Sequence, residues 1–316
     1  MVSESARYRP PAALRPLVAW YSGYREAGVP PARHRGLPSP YLTLIITLDD
    51  PLVVAAHPDP SQPASRHGVL VGGLHTVPAL VTHEGRQSGI QLQVTPLGAR
   101  ALLGLPAGEM AGLDLEADDV LGSFAAELRD RIREAGTWPD RFAVLDDLLC
   151  RRAGFQSPVG TVGRAGLPGS ATLAGAEAAG AAGAARPLGP PRPEVAFAWR
   201  ALLASRGTVP VAGLARETGW TPRHLSARFR DEFGLSPKTA ARVMRFDRAR
   251  RLLQRRVAAG GTPALADLAA AVGYYDQAHL AREFRELAGC PPSTWLAEEF
   301  RNVQAGPADT GKGSQA

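Results

Sequence analysis

Cysteine is almost missing from this chain. The two present, Cys150 and Cys290, share no CxxC spacing and have no histidine close in sequence. That excludes a disulfide framework and a cysteine-based zinc site, and it fits a reducing cytoplasm. Lysine occurs only as Lys238 and Lys312, so arginine carries nearly all the positive charge. No run of about 18 uncharged apolar residues occurs, and no membrane-spanning helix is expected. The opening residues MVSESARYRPPAALRP lack a basic stretch followed by an apolar one, so no signal peptide is expected. GxSxG, Walker and HExxH motifs are absent. Five histidines (His34, His57, His67, His75 and His83) are scattered without an HxH pair, and they read as ordinary surface or packing residues. The expectation is no catalytic residue, no metal site, no cofactor and no enzyme.

What is present is size, an uneven charge and a repeat. With 316 residues, 45% of them apolar, the chain is long enough for two domains with separate cores. Residues 1–153 carry 15 basic against 17 acidic side chains, whereas 194–303 carry 17 against 11. The basic excess therefore lies in the C-terminal third, where a polyanionic partner would need it. In the same region LARETGWTPRHLSARFRDEFGLSP (Leu214–Pro237) is answered by LAAAVGYYDQAHLAREFRELAGCPP (Leu268–Pro292). Leu214, Gly219, Leu225, Phe229, Gly234 and Pro237 match Leu268, Gly273, Leu280, Phe284, Gly289 and Pro292, with one extra residue in the second turn.

Each copy reads as helix, tight turn, helix, with the two units at about 211–234 and 265–289. Gly219 and Gly273 suit a left-handed helix end. Thr221 before Pro222, and Asp276 in the second copy, suit N-caps. Leu225 with Phe229, and Leu280 with Phe284, lie four apart, so one face of each second helix is buried. Opposite that face stand Arg223, Ser226 and Ala227 in one unit and Gln277, Ala281 and Arg282 in the other. Arginine suits guanine edges, glutamine suits adenine, and small residues admit thymine methyls. These six are the expected base-facing set, and Arg230 and Arg285 the expected phosphate contacts on double-stranded DNA.

In these motifs, residues from about Glu194 to Phe300 resemble the DNA-binding domain of AraC/XylS-type transcriptional regulators. The likeness takes in both units, the joining helix RVMRFDRARRLL (Arg242–Leu253) and the ending AGCPPSTWL (Ala288–Leu296). It departs from the usual pattern at Gln277, Ala278 and His279, which touches sequence preference and not the fold. The resemblance implies two helices entering successive major grooves about 34 Å apart. It also implies a small-molecule effector, RNA polymerase and a homodimer as candidate partners. Arg242, Arg245, Arg248, Arg251, Arg255 and Arg256 of the joining helix are expected to face water or phosphate, some of them pairing with Asp247 or with glutamates.

The N-terminal half, 1–153, reads as strands followed by helices. Strands are expected at Tyr41–Leu48, Leu52–Ala56, Gly68–Leu74, Val77–His83 and Ile90–Val94, and helices at Phe124–Ala135 and Trp138–Arg152. The stretch from Tyr8 to Trp20 reads as a short helix or extended arm. This order resembles the cupin-like sensing and dimerisation domain of AraC-type regulators, of the kind common in actinobacterial members. Phe142, Leu145 and Leu149 serve equally well to cover a small β-barrel or, as the resemblance implies, to form a dimer contact. The Gly-, Ala- and Pro-rich stretch 154–193 reads as a flexible linker, and 304–316 as a disordered tail. The fold class expected is α+β in two domains: a barrel with two trailing helices, then an all-α tandem helix-turn-helix domain. The leading function is sequence-specific transcriptional regulation modulated through the N-terminal domain. The alternative is a metal-dependent cupin enzyme or a methyl-accepting repair protein fused to a DNA reader.

Overall fold

Leu42, Leu44 and Ile46 alternate with less buried neighbours, the period-two signature of a strand with one covered face. In the computed structural model, which describes residues 2–156, 188–261 and 264–304, this strand lies inside the larger of two antiparallel sheets. Ten strands occur among the described residues: β1 (Val2–Tyr8), β2 (Val18–Ala27), β3 (Ala32–Gly36), β4 (Leu42–Thr47), β5 (Leu52–Ala56), β6 (Ser65–His67), β7 (Val69–Gly72), β8 (Ala79–His83), β9 (Arg86–Val94) and β10 (Asp114–Glu116). One sheet runs β1-β2-β9-β4-β7-β10, the other β3-β8-β5-β6. Between β9 and β10 come the short helix α1 (Ala99–Leu102) and a 3-10 turn, Ala107–Met110. After β10 follow α2 (Ala117–Leu121), α3 (Ser123–Glu134) and α4 (Trp138–Arg152).

The N-terminal core lies between the six-stranded sheet and these helices. Leu128, Ile132, Phe142, Leu145 and Leu149 bury against Leu42, Leu44, Ile46, Ile90 and Leu92, each such side chain stabilising by about 1.5–3 kcal/mol. Phe142, Leu145 and Leu149 thus cover the sheet. Tyr8, Tyr21 and Phe142 stack, and both tyrosine hydroxyls donate at 2.9 Å to the buried Asp146. The stretch expected to be a helix or arm is instead bracketed by strands. β1 pairs with β2, and Trp20 sits within β2. Among the described residues no helix is long and apolar enough to cross a membrane.

The C-terminal part is helical: α5 (Pro193–Ala204), α6 (Val211–Glu217), α7 (Pro222–Phe233), α8 (Pro237–Ala258), α9 (Leu265–Val272), α10 (Gln277–Ala288) and α11 (Pro292–Gln304). α8 serves two cores. Ala240, Ala241 and Met244 join α5, α6 and α7, where Trp199 packs on Phe229 and Phe233. Val243, Phe246, Ala249 and Leu253 join α9, α10 and α11, where Phe284 packs between Phe246 and Trp295. The molecule is therefore an α+β protein with a sheet-rich N-terminal part and a helical C-terminal part. Most of the expected linker, 157–187, and nearly all of the expected tail lie outside the described residues.

Candidate nucleic-acid interface

Two twelve-residue helices, α7 and α10, carry the site. Thr221 accepts the backbone N–H of His224 at 3.2 Å, and Asp276 accepts that of His279 at 2.7 Å. Each cap satisfies one of the helix's orphan donors and stabilises it by about 1 kcal/mol. At the far ends Gly234 (φ 72°) and Gly289 (φ 69°) close the helices in the left-handed conformation. Leu225 and Phe229, like Leu280 and Phe284, are fully buried, which fixes the opposite faces outward. Arg223, Ala227 and Arg230 are exposed and Ser226 half-buried; Gln277, Arg282 and Arg285 are exposed and Ala281 half-buried. The structure thus brings each trio onto an open helix face, toward the N-terminal end that a groove-reading helix presents to bases. The extra residue of the second turn is Tyr275, 93% exposed.

α8 holds the two units on one frame. Its 22 residues span about 33 Å at 1.5 Å per residue. Some of its arginines pair with carboxylates, as the sequence led one to expect. Arg242 donates to Glu283 at 2.7 Å and also to Glu286, tying α8 to α10. Arg245 donates to the Gly207 carbonyl and lies over the Tyr274 ring. Arg250 and Arg251 both hold the buried Asp247. These guanidiniums are paired with carboxylates and a carbonyl without a polyanion, although Arg245 Nε, Arg250 Nε and Glu283 Oε2 are buried without a hydrogen-bond partner.

The sheet-rich part grips both reading helices at their C-terminal ends, a feature no sequence pattern marked. Arg100 makes a two-point bond to Glu232 in the last turn of α7, at 2.8 and 2.7 Å. The paired carboxylate holds the Arg100 guanidinium above its ordinary range. Beside it Gly108 and Gly234 meet backbone to backbone; a Cβ on Gly234 would stand 2.1 Å from the Ala111 Cβ. Arg35 on β3 makes a second two-point bond, to Glu298 on α11 at 2.7 and 3.1 Å, and reaches the Ala288 carbonyl at the end of α10. Its guanidinium is likewise held high by Glu298. Arg251 lies over the Trp20 ring, 4.4 Å from its centroid.

Three of the histidines take the packing alternative. His57, His67 and His83 are buried. His57 bridges Asp114 (2.8 Å) and Ser65 (2.8 Å), and Ser65 reaches His67 (2.6 Å), which reaches Glu116 (2.7 Å). This chain of polar contacts joins the two sheets on the β10 side. On the β2 side His34 and His83 stack with centroids 5.2 Å apart, near Glu26. Burial holds both rings below the ordinary imidazole range; for His34 the neighbouring His83 adds to it, while Glu26 opposes the shift at both. The thiols of Cys150 and Cys290 are both pushed up by burial, the reverse of an activated nucleophile.

Comparison with known proteins adds the following. Residues 214–298 match the family model described as "Helix-turn-helix domain", and 6–116 match a domain of unknown function, DUF6597. No curated protein matches the chain. Among solved structures, the C-terminal domain of AraT, a response regulator from Geobacillus stearothermophilus, is 20% identical and covers 39% of this chain and 95% of its own, with a TM-score of 0.31. An AraC-type transcriptional regulator from Chromobacterium violaceum is 22% identical over 36% of this chain and 96% of its own, TM-score 0.30. ToxT from Vibrio cholerae is 8% identical over 94% of this chain and 99% of its own, TM-score 0.43.

Proposed function

We propose that this chain, whose residues 214–298 match a helix-turn-helix domain and resemble the DNA-binding domain of AraC-type regulators, controls transcription by reading two successive major grooves of double-stranded DNA. The observation that carries this reading is the pair of capped twelve-residue helices with open N-terminal faces, held on one 22-residue helix. In this reading Arg223, Ser226 and Ala227 face bases in one groove. Gln277, Ala281 and Arg282 face bases in the next, while Arg230 and Arg285 hold phosphates and set register. The spacing of the grooves is about 34 Å, close to the length of α8. The protein acts as a regulator and not as a catalyst, in the cytoplasm. Its sheet-rich part takes an effector and passes the signal through the Arg100 and Arg35 contacts. A homodimer on paired sites and a contact with RNA polymerase belong to the same proposal.

Selection of sites from random duplex DNA by the full chain tests it. The expected result is a motif with two short elements one helical turn apart. Arg282→Ala should then weaken binding to that site by about 1–3 kcal/mol and relax one base position. Equal weakening on selected and random DNA would move Arg282 to the phosphate class. Failure to enrich any sequence would overturn the reading.

A further inference from the structure

The histidine group on the β2 side has no role in reading DNA, yet its composition and placement are those of a ligand set. Glu26 stands on β2, His34 on β3 and His83 at the end of β8. One ligand atom from each lies within 4.8 Å of the other two. The three come from both sheets, since β2 belongs to the larger and β3 and β8 to the smaller. Cross-strand pairing fixes their backbones: His34 opposes Val81, Ala32 opposes His83, and Glu26 opposes Gln87. Gln87 donates to Glu26 at 2.7 Å and stands 3.5 Å from His34 Nε2, so a fourth oxygen- or nitrogen-bearing side chain borders the set. An open cleft of ≈ 600 Å³, lined by His83 and Gln87 with Tyr24, Thr47, Arg66 and Ser88, adjoins it and gives access from solvent.

We propose that Glu26, His34 and His83 bind a divalent first-row transition metal ion, with zinc as the reference case, leaving a coordination position open toward the cleft. Two imidazoles and one carboxylate are the donors such ions take, and three protein ligands leave room for water or a small anion. Tetrahedral bonds of about 2.0–2.1 Å require ligand atoms roughly 3.3 Å apart. The separations here exceed that by no more than about 1.5 Å, a distance that side-chain rotation covers while the strand pairing stays in place. His83 Nδ1 already accepts the Gly85 N–H at 3.1 Å. Binding through Nε2 requires the tautomer with its proton on Nδ1, so the proton moves from Nε2 to Nδ1, the Gly85 N–H bond is given up, and the ion takes the Nε2 lone pair. The other histidine group does not offer the same site. There both imidazoles are occupied on either side, by a carboxylate and by Ser65.

Full-length protein, stripped with chelator, is dialysed against zinc and its bound metal counted; cobalt titration reports coordination through its visible absorption. The expected result is one ion per chain with tetrahedral or five-coordinate cobalt bands. Binding should weaken roughly 100-fold or more in His83→Ala and in Glu26→Gln, and stay unchanged in His67→Ala. Circular dichroism checks the fold of each variant. Glu26→Gln keeps side-chain size, so it decides the matter if His83→Ala does not fold. No saturable binding, binding indifferent to Glu26→Gln and His83→Ala, or binding lost in His67→Ala alone would each overturn the assignment. The readout is independent of DNA, so its failure leaves the DNA-reading proposal standing, and the reverse holds equally.

Discussion

The two helix-turn-helix units are near copies in local structure and opposites in attachment. α7 and α10 have the same length, matched caps, matched terminal glycines and an aromatic cluster beneath. The first unit shares one continuous apolar core with the sheet-rich part, and its last turn is pressed against the Ala107–Met110 turn with no side chain between Gly108 and Gly234. The second has its own core and meets the sheet-rich part through the apolar contact of Leu37 and through polar grips, chiefly Arg35 on Glu298 and on the end of α10. Repeated sequence thus fixes how each unit folds, while non-repeated residues decide how firmly each is held. One unit is built into the sheet-rich part, and the other is tied to it.

The sharpest way to break this comparison is at the paired glycines. Gly234→Ala meets both a left-handed backbone and the 2.1 Å approach to Ala111; it should cost about 2–5 kcal/mol by the sum of backbone strain and overpacking. Gly289→Ala has the same backbone conformation but nothing nearer than 3.4 Å, so about 1–2 kcal/mol is expected. Urea denaturation of both variants measures the difference, and equal losses would mean the first unit is not pressed against the sheet-rich part. Next comes the ion pair. Glu232→Ala strands a partly buried arginine and should cost about 2–3 kcal/mol, less than for a fully buried pair because water still reaches Arg100. Hydrogen exchange should rise in both α7 and the Ala107–Met110 turn. Asp231→Ala, one residue away and paired with Arg228 on the surface, should stay within about 0.5 kcal/mol. The smallest effects are those the two units share. Thr221→Ala and Asp276→Ala should each cost about 1 kcal/mol, and calorimetry that found them far apart would weaken the claim that the units are local copies.

What the sequence disclosed follows from where the determining signals lie. Caps, glycine stops and four-residue apolar spacing are local, so α7 and α10 were legible from residues such as Thr221, Asp276 and Gly289. β4, β5, β7 and β8 carried dense apolar runs and were legible too. β2 was missed because Trp20 and Tyr21 are neighbours and Gly23 interrupts any alternation; that glycine is needed because the Trp138 ring lies where a Cβ would go. β3 reads ARHRG and has no apolar residue beyond alanine; its strand is made by pairing with β8. The grips could not be foreseen, since Arg100 and Glu232 are 132 residues apart. The same holds for Glu26, His34 and His83, whose spacing matches no compact ligand motif and whose meeting depends on two sheets.

Strand β3 turns its side chains alternately to opposite faces. His34 looks inward to His83 and Glu26, and Arg35 looks outward to the end of α10 and to Glu298. One peptide unit therefore separates the interior of the sheet-rich part from the second groove-reading helix. A movement of the β3 backbone at His34 is therefore a movement at Arg35 as well, because a single peptide joins the two side chains.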